Sequence, residues 1–162
     1  MTVNGYLGSE GVLPFLPQRG GAGVLVLVRT SNPSAAELQD LPCGDATVME
    51  AMARLVARWG AGRLGRCGLS DVGAVVGATW PEQARRLRAL MPDALFLVPG
   101  YGAQGGGAAD ALAGRRADGR GVLVNSSRAI IGAWQATGDP AAWQDATRAA
   151  LEAMNADLAA AR

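Results

Sequence analysis

Residues 72–98 read VGAVVGATWPEQARRLRALMPDALFLV, and this stretch decides the fold. It opens with a continuous apolar run, VGAVV at 72–76, and closes with another, LFLV at 95–98. Such short runs suit strands buried on both faces of a parallel sheet. Between them, Thr79 to Met91 has the pattern of a helix. Thr79 and Glu82 have the T-x-x-E spacing of a capping box, and Pro81 falls in the first turn, where a missing N–H costs nothing. A strand, a helix and a second strand within 27 residues make a βα unit followed by a parallel partner.

The same alternation extends in both directions. Upstream lies VLVLV at 24–28, and MTVN at 1–4 reads as one further short strand; downstream lies GVLV at 121–124. A second helix is expected over Asp45–Trp59, with Asp45 as its cap and Val48, Met52, Leu55, Val56 and Trp59 on one face. A last helix is expected from Asp139-Pro140, carrying Trp143, Ala150, Leu151, Met154 and Leu158 toward the sheet. At 162 residues and 49% hydrophobic content, residues 1–162 are expected to form a single domain around one core.

Composition narrows the chemistry. Histidine and lysine are both absent, and all fifteen basic residues are arginine, set against fourteen acidic ones for a net charge of +1. No Ser-His-Asp triad, histidine-ligated metal, Schiff base or P-loop lysine can be built from this chain. No basic stripe argues for nucleic acid or an anionic membrane surface. No apolar run approaches the roughly 18 residues of a membrane span, and the first residues lack the pattern of a secretory signal, so the expected location is cytoplasmic. The two cysteines, Cys43 and Cys67, are expected to be reduced thiols.

Each apolar run is followed by polar or glycine-rich sequence: Asn4-Gly5-Tyr6, Arg29 to Asn32, Gly77 to Thr79, Pro99 to Gly107, and Asn125 to Arg128. Ligands of parallel α/β folds sit at the carboxyl ends of the strands, although turns are polar in any case. Two of these ends are more specific. The loop PGYGAQGGG at 99–107 can bring backbone N–H groups close to an anion. Its GYGAQG segment also satisfies G-x-G-x-x-G, but it follows the fourth candidate strand, and the next strand ends in Asn125 instead of an acidic ribose ligand, which argues against a dinucleotide site. The second is NSSRAI at 125–130, where two hydroxyls, a guanidinium and the backbone of a short helix suit a phosphate. Surface pairing of Arg128 and capping by Ser126 and Ser127 are the plainer alternatives.

Taken together, TVNGYLGSEGVLPFL (2–16), VLVRTSNPSAAELQDL (26–41), LSDVGAVVGATWPEQARRLRALMP (69–92), FLVPGYGAQGG (96–106) and VLVNSSRAII (122–131) resemble, in order and spacing, a bacterial subgroup of the orotidine 5'-phosphate decarboxylases. The resemblance implies part of a (β/α)8 barrel, about strands four to eight with their helices, the first three βα units being absent from this sequence. It implies conversion of orotidine 5'-monophosphate to UMP and carbon dioxide in pyrimidine biosynthesis, with no metal or cofactor. By the same resemblance, Gln104, Ser127 and Arg128 hold the substrate phosphate. Ser31 meets the pyrimidine, with Thr30 as the nearest alternative. Pro99, Gly100 and Gly102 form the pocket wall, and Val28 and Val98 are either wall or core. The chemistry of the family rests on an Asp/Lys array, including a D-x-K-x-x-D segment at the end of the third strand, and no part of it matches this chain. No catalytic residue is therefore assigned here, and the chain alone is expected to be inactive. The expected partners are orotidine 5'-monophosphate or UMP, and an N-terminal half-barrel chain or a second copy. The alternative is a non-catalytic half-barrel that binds phosphorylated ligands or serves as a scaffold.

Overall fold

The computed structural model describes residues 1–16, 21–102 and 104–161. In chain order the elements are β1 (Thr2–Val3), α1 (Ser9–Val12), β2 (Val24–Arg29), α2 (Ala36–Gln39), β3 (Pro42–Cys43), β4 (Ala46–Thr47), α3 (Val48–Gly60), β5 (Val72–Val76), α4 (Pro81–Leu90), β6 (Phe96–Val98), α5 (Ala108–Ala111), β7 (Val122–Val124), α6 (Ser127–Ile131) and α7 (Trp143–Ala160). Five strands form one sheet in the order β1-β2-β5-β6-β7, and every pairing in it is parallel. All five are the apolar runs of the sequence. The hairpin β3-β4 was not foreseen: it is two residues per strand and lies in the loop between β2 and α3.

One face of the sheet carries the core. Val24, Val26, Val28, Val72, Ala74, Val76, Phe96 and Val98 are buried there with Met49, Ala53, Val56 and Trp59 of α3 and Ala84 and Leu87 of α4. The expectation of strands buried on both faces holds only for β5, whose five residues are all buried. On the other face Leu25, Leu27 and Leu97 are only partly buried, and Leu123 is 53% exposed. A closed barrel fills that interior with side chains from strands opposite, and no such strands stand opposite this sheet among the described residues.

Three helix expectations need correction. Helix α3 is capped by Thr47, not Asp45: Thr47 and Glu50 form a complete capping box, while the Asp45 carboxylate accepts two hydrogen bonds from Arg54, at 3.2 and 3.1 Å. The β3-β4 hairpin delays the helix, and its buried residues include Met49, Ala53 and Gly60 beside Val56 and Trp59 of the expected stripe; Met52 and Leu55 pack against the core. Helix α4 has Pro81 in its first turn as expected, but its N-cap is Trp80, with no side-chain cap. Thr79 instead donates to the Ser31 carbonyl at 3.3 Å, and Glu82 pairs with Arg85. In the last segment, Asp139 caps a short 3-10 turn, Pro140–Ala142, and α7 follows. Only Met154 is buried on α7 and Leu158 packs against the core, whereas Trp143 and Leu151 are 53% and 43% exposed. This helix packs on α5, α6 and their flanking turns, so its apolar stripe does not lie on the sheet as expected.

The sheet ends at two strands, β1 and β7, each with one neighbour among the described residues. Unpaired strand edges beside a half-covered leucine face are templates for another chain. The purified chain is expected to self-associate, and a single monomeric boundary in sedimentation velocity across micromolar concentrations would contradict this.

Candidate functional site

The carboxyl ends of β6 and β7 enclose a cleft of about 180 Å³ lined by Pro99, Gly100, Tyr101, Gln104, Asn125, Ser126, Ser127 and Arg128. Five of the eight residues assigned from sequence line it: Pro99, Gly100, Gln104, Ser127 and Arg128. Among the described residues, neither the Gln104 amide nor the Arg128 guanidinium makes a hydrogen bond or ion pair within the protein. The ion-pair alternative for Arg128 is therefore not observed. Arg128 is an exposed lining residue of the cleft whose charge has no partner of opposite sign among the described residues.

The glycine loop behaves differently from the expectation that its backbone amides would meet the ligand. Gly102 N donates to Gly106 O at 2.9 Å, Gly105 N to Gly102 O at 2.8 Å and Gly106 N to Gly100 O at 3.2 Å. Gly107 N donates to Asp110 Oδ2 at 3.0 Å. Three amides are consumed in closing the loop on itself, and the fourth is taken by the side chain of Asp110 in α5. Gly102 is exposed and stands outside the cleft lining; Ala103 lies outside the described residues. The loop offers the Gln104 side chain instead. Across the cleft, α6 begins at Ser127, and the first intrahelical donor is Ile130 N, bonded to Ser126 O at 3.0 Å. The amides of Ser127 and Arg128 therefore have no helical acceptor. Ser126 does not cap this helix, contrary to the plainer alternative, because its hydroxyl donates to Tyr101 O at 3.1 Å.

Ser31 and Thr30 lie outside the cleft lining but differ in their relation to it. Gly100 has φ +97°, and a Cβ placed there would be 3.0 Å from both Gln104 Oε1 and the Ser31 Cβ. Ser31 thus stands beside the loop that carries Gln104. A Cβ on Gly77 would meet the Ser31 Cα at 2.8 Å and its N at 2.9 Å, so only glycine at 77 lets the chain pass this closely. The Ser31 hydroxyl has no partner among the described residues. That of Thr30 is occupied, donating to Asn32 Oδ1 at 2.7 Å and accepting from Gln39 Nε2 at 2.8 Å. Between the two residues left open from sequence, Ser31 has the free hydroxyl.

Sequence reasoning missed the platform under this segment. Arg29 is fully buried, paired with Asp40 at 3.0 Å and stacked 4.1 Å over Trp80. The Trp80 indole N–H donates to the Thr30 carbonyl at 3.1 Å. A bulge between Leu27 and Arg29 lets Val28 and Arg29 both be buried; Val28 and Val98, left as wall or core, both belong to the core. Asn125 and Tyr101 were passed over as well. The Oδ1 of Asn125 is buried at the cleft with no partner, and the Tyr101 hydroxyl donates to Asp157 Oδ2 at 2.6 Å. That bond, with burial second, raises the phenol pKa above its ordinary value, so Tyr101 stays a donor at neutral pH.

The arrangement defines a class: a parallel α/β partial barrel with a cleft at the carboxyl ends of its last two strands. The sequence model described as the Orotidine 5'-phosphate decarboxylase / HUMPS family matches residues 1–141. The chain belongs to this family. It is 46% identical to an orotidine 5'-phosphate decarboxylase of Rhodopirellula baltica, over 98% of this chain and 55% of that protein. It is 47% identical to one of Caldicellulosiruptor bescii, over 83% of this chain and 45% of that protein. Among solved structures, Leishmania donovani UMP synthase superposes with a TM-score of 0.73 at 37% identity, covering 97% of this chain and 32% of that one. The orotidine 5'-monophosphate decarboxylase of the same organism gives 0.71 at 36%, covering 97% and 56%. The chain spans about half the length of the curated relatives it matches, and its fold is part of their barrel.

Proposed function

We propose that this chain carries the phosphate- and pyrimidine-binding part of an orotidine 5'-monophosphate decarboxylase site, without the groups that perform the chemistry. Gln104, Arg128 and the turn amide of Ser127 would hold the 5'-phosphate. Ser31 would meet the pyrimidine, with Pro99 and Gly100 as wall. The observation that carries the reading is the unpaired Arg128 guanidinium at the edge of a cleft shared with Gln104. Neither metal nor cofactor enters the proposal, and no group of three or more potential metal ligands occurs among the described residues. The activity would need the βα units that the longer relatives carry and this sequence does not match, packed at the open edges, whether they belong to the same polypeptide or to a second one. No helix is long and apolar enough to cross a membrane among the described residues.

A second reading, a half-barrel that binds phosphorylated ligands without turnover or acts as a scaffold, is favoured by the absence of any lysine. The phosphate cleft has a direct test, and its failure would leave the scaffold. UMP should bind more tightly than uridine, since only the nucleotide offers a phosphate. Arg128→Ala should remove most of the difference, about 1.5–3 kcal/mol for a charge-assisted contact. Equal binding of UMP and uridine in titration calorimetry would rule the phosphate cleft out.

A further inference from the structure

We infer that the C-terminal helix α7 sets the affinity of the cleft for phosphate by holding the Gln104 loop through the Tyr101–Asp157 hydrogen bond, with Asp157 as a positioning residue. This rests on reading the cleft as a phosphate site.

The loop needs such a hold. Gly100, Gly102 and Gly105 all have left-handed φ, at +97°, +71° and +93°, so the backbone around Gln104 is built from the residues with the greatest freedom to leave their conformation. Within 100–102 the only side chain is that of Tyr101. Its ring packs against the core, and its hydroxyl reaches Asp157 Oδ2, 56 positions along the chain, at 2.6 Å. A carboxylate acceptor at this distance makes a charge-assisted bond, stronger than a neutral one. The Tyr101 carbonyl is held from the other side by the Ser126 hydroxyl at 3.1 Å, so this single residue ties β7, the loop and α7 together.

Helix α7 also packs on α6, which carries Ser127 and Arg128, but among the described residues its hydrogen bond to the Gln104 loop is made through Asp157 alone. The core-facing residues of α7 are Met154 and the partly buried Leu158, and Asp157 itself is exposed and its carboxylate is hydrogen-bonded to no cleft residue but Tyr101 among the described residues. Asp157 makes no ion pair among the described residues, so the carboxylate has no competing salt bridge to account for its place. A ligand phosphate meeting Gln104 must find that amide already beside Arg128. Releasing the loop would add its ordering entropy to the cost of binding.

The bond is near the surface, so its loss should weaken binding by roughly three- to tenfold. In titration calorimetry of the full 162-residue chain, Asp157→Ala is expected to lower UMP affinity by that factor and leave uridine affinity unchanged. Tyr101→Phe should do the same, the double variant should be no worse than either single one, and Asp157→Asn, which keeps a neutral acceptor, should recover part of the loss. Melting curves on each variant identify any that fails to fold, and Tyr101→Phe removes one oxygen and keeps the ring in place. If Asp157→Ala and Tyr101→Phe leave the UMP-to-uridine ratio at its parent value while Arg128→Ala collapses it, the positioning role is refuted and the phosphate reading stands. If Arg128→Ala leaves that ratio unchanged too, the phosphate reading fails and the inference falls with it.

Discussion

Orotidine 5'-monophosphate incubated with the purified 162-residue chain is expected to remain unconverted. The chain has no lysine, and arginine holds its proton at a pKa above about 12, which makes it a poor proton donor. Burial, with the neighbouring Arg116 charge second, lowers the pKa of Arg88 to about 10. That guanidinium, however, lies at the amino ends of β6 and β7, away from the cleft. A positioned general acid contributes about 10²–10⁴-fold by itself, and binding contacts made equally in ground and transition states do not replace it. The assay follows orotidylate absorbance for this chain, for a polypeptide carrying the first three βα units, and for the mixture. Turnover is expected in the mixture alone, where the exposed edges β1 and β7 can be paired. Decarboxylation by this chain after repurification away from host enzyme would show that the missing lysine is dispensable. Silence from a mixture that demonstrably associates would favour the scaffold reading.

Replacing Arg88 with alanine is expected to destabilise the fold by about 2–4 kcal/mol. Its guanidinium donates to the carbonyls of Gly114 at 2.7 Å, Met91 at 2.8 Å, Pro92 at 3.3 Å, Ala94 at 2.7 Å and Gly121 at 2.8 Å. It also stacks 3.7 Å over the Phe96 ring. One side chain thus joins the end of α4, the segment after α5 and the residues that lead into β6 and β7. Truncation would strand several part-buried carbonyls at once. Arg88→Lys should recover little, because an ammonium cannot reproduce the planar fork that reaches carbonyls on opposite sides. Thermal denaturation checks the claim: a fall of about 5 °C or more is expected, and an unchanged midpoint would contradict it.

The sheet was legible because β2, β5, β6 and β7 lie in continuous apolar runs and the strands pair in chain order, so position in the sequence gave position in the sheet. The cleft was legible in part. Gln104 and Arg128 sit in loops directly after strands, where topology alone carries them to one rim. Thr79 was misread because its capping spacing is real, yet the hydroxyl serves the Ser31 carbonyl, a partner 48 positions away. Arg88 and Asp157 gave no local signal for the same reason: their acceptors and donors are brought near only by the finished fold. The apolar stripe of α7 was assigned to the sheet, but helices can satisfy one another, and α5 and α6 take that role here. The glycine loop was read as a row of donors because sequence shows how many amides a loop has and not which of them its own carbonyls consume.

The sequential strand order also bears on how the chain reaches this structure. Pairing Ala74 with Phe96 and Phe96 with Val122 closes shorter loops than pairing Val26 with Ala74, and the entropy of closure grows with loop length. The segment from β5 to β7, with α4 between its strands and Arg88 fastening its base, should therefore gain order first, and β1-β2 should dock onto it afterwards. During synthesis the chain emerges in the opposite sense, so the leucine-rich β2 must wait, unpaired on one side, until the ribosome has released the strand beside which it belongs.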